Sequence, residues 1–122
     1  MAIRLDCHKI LLFSKIMIER SLFFKYILKG YKKIESEYDI AIAYAGPMEF
    51  ISYFVVNKIN AKKKIQWVHF DVTKIGFDKK FASKTYKYFD RIFVVSNDGK
   101  KKLIKLMPSI KDKTDTFYNL LL

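Results

Sequence analysis

Lys64-Ile65-Gln66-Trp67-Val68-His69-Phe70-Asp71-Val72 is the stretch on which the fold turns. Ile65, Trp67 and Val68 make a short apolar, β-prone run, and His69 and Asp71 stand where such a run should stop. A run of this kind ending in polar groups is how a buried parallel strand delivers functional side chains to the carboxyl edge of a sheet. It predicts a strand over residues 65–69 and singles out His69.

Working outward, Asp39 precedes Ile40-Ala41-Ile42-Ala43-Tyr44-Ala45, a continuous apolar run closed by Gly46 and Pro47. Apolar on both faces and bounded by turn residues, it reads as a strand buried in a parallel sheet. Met48, Ile51, Val55 and Ile59 then recur near one face, predicting a helix over residues 48–59, and Lys62, Lys63 and Lys64 lead into the second strand. On the other side lies a loop holding Asp71, Thr73 and Gly76, followed by a helix over residues 79–88 and a strand over residues 91–95. Ser96, Asn97 and Asp98 concentrate capping residues at the start of a helix that runs through Leu103, Ile104 and Leu106 to Pro108. A last strand spans residues 114–118, with Asn119 before the apolar Leu120, Leu121 and Leu122.

Strands alternating with helices of crossover length indicate an α/β fold: a Rossmann-like three-layer sandwich with a mostly parallel sheet of about four strands and right-handed connections. The chain opens on a helix instead of a strand with a glycine-rich turn, and its 4 glycines are far apart. The sheet is therefore expected to be incomplete at its amino-terminal side. One domain is expected over residues 1–122, led by an amphipathic helix within residues 9–30. Leu12, Phe13, Ile16, Met17, Phe23, Phe24, Ile27 and Leu28 form a broad apolar face there, and Gly30 supplies a stop. Leu11, Ile18 and Leu22 widen that face, so the helix packs on two sides or meets something outside the chain.

At 122 residues, 51% hydrophobic and 30% charged, the chain is sized for a single folded core and is neither a disordered polyelectrolyte nor a membrane bundle. Lys15, Glu19, Arg20 and Lys25 interrupt the apolar stretch over residues 10–28, which excludes a spanning segment of ~20 apolar residues. No secretory signal pattern opens the chain. Cys7 is the single cysteine, so no internal disulfide forms, and Cys7 with His8 falls short of the four ligands of a structural zinc site. A cytoplasmic location is expected, with no metal and no bound cofactor. The net charge of +12 is almost all lysine, since Arg4, Arg20 and Arg91 are the arginines. Phosphate and base readout favour the arginine fork, so the charge reads first as a solvated lysine surface attracted to acidic surfaces.

Ligands of α/β folds bind outside the carboxyl ends of the strands. Those ends carry Gly46 and Pro47; His69, Phe70 and Asp71; Ser96 and Asn97; and Asn119. His69 can bond a hydroxyl or take a proton near neutral pH, and Asp71 can orient it or accept a sugar-like hydroxyl. The competing reading has His69 merely closing the strand and Asp71 opening a turn. Ser96, Asn97 and Asp98 read as caps before ligands. Val94-Val95-Ser96-Asn97-Asp98 lacks the glycines of a nucleophile elbow, and no phosphate-binding P-loop occurs.

In order and spacing, four pieces resemble the amino-terminal domain of bacterial glycosyltransferases of family 4. They are Tyr38-Asp39-Ile40-Ala41-Ile42-Ala43-Tyr44, Lys64 to Asp71, Phe89-Asp90-Arg91-Ile92-Phe93-Val94-Val95-Ser96, and Pro108 through Lys111-Asp112-Lys113 to Phe117-Tyr118-Asn119. The resemblance implies a two-domain GT-B architecture and transfer of a sugar from a nucleotide-sugar to a glycan or lipid-linked acceptor with retention, without a metal. On this match His69 corresponds to the histidine at the transfer centre. Ser96 corresponds to the serine closing the next strand, and Asn119 to the asparagine where the chain leaves for the second domain; Gly46 and Asp71 join the substrate-binding set.

The nucleotide-sugar domain would be a separate partner, so the chain is expected to be inactive alone. A role in polysaccharide biosynthesis follows, with peripheral docking on an anionic inner leaflet. Two other readings stand beside it. In one, the chain is a non-catalytic binding or assembly module using the apolar amino-terminal helix on a partner, on membrane or on a second copy. In the other, ranked last, it is a basic nucleic-acid binder.

Overall fold

The computed structural model describes residues 20–44, 48–74 and 76–117. The chain divides into two compact units, Met1–Lys32 and Lys33–Leu122. In the first, helix α1 (Arg20–Ile27) runs into a 3-10 turn (Leu28–Gly30) that is closed by the Tyr31 N–H donating to the Leu28 carbonyl at 3.0 Å. The helix ends where expected, but Gly30 does this without the left-handed backbone of a glycine cap: among the described residues only Gly76 has positive φ, at 105°. The rest of the expected leading helix falls on residues 9–19, outside the described set.

The second unit is an α/β fold with a parallel sheet. Its elements in chain order are β1 (Glu37–Ala43), α2 (Met48–Lys58), β2 (Asn60–Val68), α3 (Lys79–Thr85) with a 3-10 extension (Tyr86–Tyr88), β3 (Arg91–Val94), α4 (Asn97–Leu106), a 3-10 segment (Pro108–Lys113) and β4 (Thr114–Thr116). The four strands stand in the order β1-β2-β3-β4, every pair parallel, as in a Rossmann-like sheet. Three crossovers step the same way across the sheet, and right-handed connections of that kind place their helices on one face.

The register shows which face that is. Ala43 pairs with Gln66, Gln66 with Ile92 and Ile92 with Thr114. These residues are all buried, and Ala43, Val68, Ile92 and Val94 form one core with Val55 of α2, Ala82 of α3, Leu103 of α4 and the flanking Tyr86, Phe89, Met107 and Ile110. Each fully buried aliphatic or aromatic side chain contributes about 1.5–3 kcal/mol. The opposite face carries Ile42 beside Ile65, and Trp67 beside Phe93.

Several strand boundaries differ from expectation: β1 spans Glu37–Ala43 where the apolar run covers residues 40–45, and β2 and β3 each stop one residue early, at Val68 and Val94. β2 begins at Asn60, upstream of the apolar run, because the main-chain ladder already pairs Glu37 with Asn60 and Tyr38 with Ala61. A ladder does not require apolar side chains: Lys62 stays in solvent and meets Asp39 at 3.4 Å, while Lys64 Nζ donates to the Val56 carbonyl at 2.9 Å. β4 stops at Thr116, short of the expected residue 118; Phe117 has left the strand, and residue 118 is outside the described set.

The remaining elements follow from local chemistry. Asp78 caps α3 by accepting from the Phe81 N–H at 3.0 Å, and Ser96 caps α4 by accepting from the Gly99 N–H at 3.0 Å. Pro108 ends α4 and also opens the 3-10 segment. Lys113 Nζ then donates to the carbonyls of Tyr86, Lys87 and Phe89 at 2.9, 3.2 and 2.8 Å, tying the 3-10 segment to the turn that follows α3. Among the described residues no helix is long and apolar enough to cross a membrane.

Candidate functional site at the carboxyl rim of the sheet

Parallel strands deliver their carboxyl ends to one rim, where Tyr44, His69, Val95 and Phe117 follow β1, β2, β3 and β4 in turn. The rim is laced by backbone bonds from the Val95 N–H to the Val68 carbonyl at 3.4 Å and from the Phe117 N–H to the Val94 carbonyl at 2.8 Å.

His69 lies just past the end of β2 and is exposed. Side chains two apart on a strand share a face, and His69 accordingly keeps the side of Trp67, away from the helices. The two rings are stacked at 6.0 Å and 19°. Tyr44 closes on the imidazole edge-on, with ring centroids 4.5 Å apart at 89°. Tyr44 also meets Trp67 at 5.4 Å, and Trp67 meets Phe93 at 5.5 Å and Phe117 at 4.8 Å. The result is an aromatic floor drawn from all four strand lines, with Tyr44 46% and Phe117 51% exposed at its margins. Trp67 keeps its indole N–H buried without an acceptor among the described residues, a cost of about 1–3 kcal/mol that phenylalanine would not carry. Among the described residues His69 makes ring contacts and no hydrogen bond, so its nitrogens remain open to a ligand.

Asp71 goes the other way. Its Oδ1 accepts from the Thr73 N–H at 2.9 Å and the Thr73 hydroxyl at 2.6 Å, and its Oδ2 meets Lys102 Nζ of α4 at 3.1 Å. Thr73, through its hydroxyl and then its N–H, together with Lys102, holds the Asp71 carboxyl well below the usual carboxylate range. Lys102 also reaches Asp98 at 3.1 Å, and the hydrogen bonds that its ammonium donates to these two carboxylates hold it above the ordinary lysine value. Asp71 is thus a turn-maker bound to α4 rather than an orienting partner of His69, as the expectation of an opened turn had it.

Ser96 sits at the same rim, but its hydroxyl oxygen is engaged as the α4 cap; the hydroxyl proton is still available to donate. Asn97 accepts from the Thr116 hydroxyl at 2.8 Å, which ties the start of α4 to the end of β4. Gly46 and Asn119 lie outside the described residues. Among the described residues, no group of three or more His, Cys, Asp or Glu side chains is placed to hold a metal ion.

The aromatic floor is the part of the site that the sequence reading missed. Tyr44, Trp67, Phe93 and Phe117 each close or approach the end of a strand, and alternation alone would have put Trp67 and His69 on one face. Which residues of the other strands stand beside them depends on the register between strands. Compared with family models, with curated proteins and with solved structures, the chain matches none.

Proposed function

We propose that the chain is the acceptor-side part of a retaining glycosyltransferase, which holds a glycan or lipid-linked acceptor while a separate nucleotide-sugar domain supplies the donor. The observation that carries this reading is His69: an exposed imidazole at the carboxyl rim of a parallel sheet, held between Tyr44 and Trp67, with no hydrogen bond among the described residues. A histidine so held can meet a sugar hydroxyl or exchange a proton with it. The exposed aromatic rings beside it offer apolar faces to the C–H side of a pyranose. Ser96 adds a hydroxyl at the neighbouring strand end. Asp71, engaged by Thr73 and Lys102, shapes the loop and leaves the hydroxyl-binding role to His69. The net charge of +12 suits work at an anionic membrane surface, at about 1 kcal/mol per lysine close to it.

Two measurements test the reading. Titrating the chain with neutral oligosaccharides should shift the His69 imidazole resonances, and no response across a panel of glycans overturns acceptor binding. In a protein that joins the chain to a nucleotide-sugar domain, His69→Ala should lower transfer by roughly 10²–10⁴-fold with the unfolding midpoint unchanged. Unaltered turnover sinks the assignment of His69.

A further inference from the structure

The positive charge is unevenly placed along the chain. Residues 33–78 hold six lysines and six acidic residues, whereas residues 79–117 hold ten lysines and one arginine against four acidic residues. Residues 1–32 carry seven basic and two acidic residues. Within the α/β unit the whole excess therefore lies in its carboxyl-terminal half. Two helices hold most of it: α3 with its 3-10 extension has four lysines and no acidic residue, and α4 has four lysines beside Asp98.

Burial fixes the direction in which these lysines point. Phe81, Ala82 and Thr85 of α3 and Leu103 of α4 are buried, and Ala82 and Leu103 belong to one core against the same face of the sheet. Lys79, Lys80, Lys84, Lys87, Lys101 and Lys105 are all exposed, on the side of the helix layer turned to solvent. The acidic residues of the region leave this surface positive. Asp78 caps α3, Asp98 meets Lys102, Asp115 meets Arg91, and Asp90 accepts from the Lys64 N–H at 2.8 Å. Asp112 lies between Lys111 and Lys113 in the 3-10 segment, and α2 adds Glu49 alone. Among the described residues the ammonium groups of Lys101 and Lys105 make no hydrogen bond or ion pair.

The composition of the layer selects the partner. Nucleic-acid binders grip phosphate with the arginine fork and stack bases on exposed rings, whereas α3, its extension and α4 have no arginine and one exposed ring, Tyr88. Lysines on flexible stems suit a mobile array of anionic headgroups, where each one close to the surface strengthens binding about fivefold. Apart from Tyr88 no large apolar side chain is exposed among them, so the helices offer nothing to insert below the headgroups. We propose that the outer surface of α3 and α4 docks by electrostatics on an anionic lipid bilayer. His69 keeps to the face of the sheet away from the helices, so a bilayer held on this layer leaves its ring open.

The test is co-sedimentation of the full chain with vesicles of phosphatidylcholine carrying about 30% phosphatidylserine, set against pure phosphatidylcholine. Binding should appear with the anionic vesicles alone and fall as salt rises from about 0.1 to 0.5 M. Lys101→Gln with Lys105→Gln removes two exposed charges, so this pair should keep the parent's unfolding midpoint and weaken binding roughly 25-fold. Lys33→Gln with Lys63→Gln removes the same charge from the neutral half and should weaken binding less than about threefold. No binding to the anionic vesicles overturns the proposal, and so does an equal loss from the two pairs, which would leave net charge as the cause. Binding that survives the loss of Lys101 and Lys105 overturns it too, since another part of the chain then holds the vesicle. A duplex of random DNA bound more tightly than the vesicles, and released by the same pair, gives the layer to nucleic acid instead. None of these outcomes depends on glycan binding at His69, so this proposal and the glycosyltransferase reading fail separately.

Discussion

The ring of Tyr44 meets that of His69 edge-on, with centroids 4.5 Å apart at 89°. This contact crosses from the residue after β1 to the residue after β2, so the phenol positions the imidazole without bonding to it. Because Tyr44 is 46% exposed, its removal should cost little stability: Tyr44→Ala is expected to lose about 0.5–1.5 kcal/mol, the worth of an aromatic pair. The His69 ring should then gain rotamer freedom, seen as altered imidazole line widths and weaker glycan binding, while Tyr44→Phe retains both. An unchanged His69 signal in Tyr44→Ala would show that Trp67 alone holds the ring.

Asp71 ties the loop after β2 to α4 through Lys102, and its charge state should be visible in acid. Its carboxyl titrates below the normal range in the folded chain, so the carboxylate stabilises the fold above the unfolded value of about 3.9. That contribution should fade as pH falls below about 4 toward the depressed folded value. Lys102, raised by Asp71 and Asp98, contributes fully below the ordinary lysine value and loses its share as pH rises past the raised one. Urea midpoints taken from pH 7 down to 3 should drop less steeply for Asp71→Asn than for the parent. Parallel curves would mean that the Thr73 and Lys102 bonds do not survive in solution.

The fold was legible because β1, β2 and β3 each carry an apolar run and α3 and α4 each open on a side-chain cap. Ser96 before Gly99 and Pro108 after Leu106 mark α4 as it stands in the structure. The front half of β2 was not legible, since Lys62, Lys63 and Lys64 enter the sheet through backbone pairing with β1, which side-chain character does not report. Within the site, His69 was readable as a strand-end residue. The divergence of Asp71 was not: alternation keeps i and i+2 on one face only while the strand lasts, and β2 ends at Val68. Beyond it the Thr73 bonds turn the carboxylate toward α4. The exposure of Ile40 and Ile42 was hidden for a related reason, as the run from Ile40 to Ala45 reads as a strand buried on both faces.

Gly99, in the first turn of α4, is held by a close approach. A Cβ there would stand 2.9 Å from Val94 Cγ1 and 3.1 Å from Ser96 Oγ. Val94 is 1% exposed in the core and has nowhere to go, and Ser96 is the cap of the same helix. In an open helix, replacing glycine by alanine gains roughly 0.5–1 kcal/mol. Here Gly99→Ala should instead cost about 1–3 kcal/mol through overpacking. Denaturant midpoints decide the sign, and a Val94→Ala background, which removes the clashing methyl, should abolish the penalty.

Ser52 of α2 donates to Gln66 Oε1 of β2 at 2.5 Å, and both residues are fully buried beneath the helix layer. The Gln66 amide also donates to the Trp67 carbonyl at 3.3 Å, so the side chain is committed at both ends. Ser52→Ala should therefore strand a buried carbonyl oxygen and cost about 1–3 kcal/mol. Gln66→Met keeps a similar volume and removes both amide atoms, so adding Ser52→Ala to it should cost much less than Ser52→Ala does alone. A double-mutant cycle on unfolding free energies reads the difference directly, with an expected coupling of about 1 kcal/mol or more between residues in contact. Additive losses would show that the serine is held by the rest of α2 and that Gln66 finds its satisfaction elsewhere.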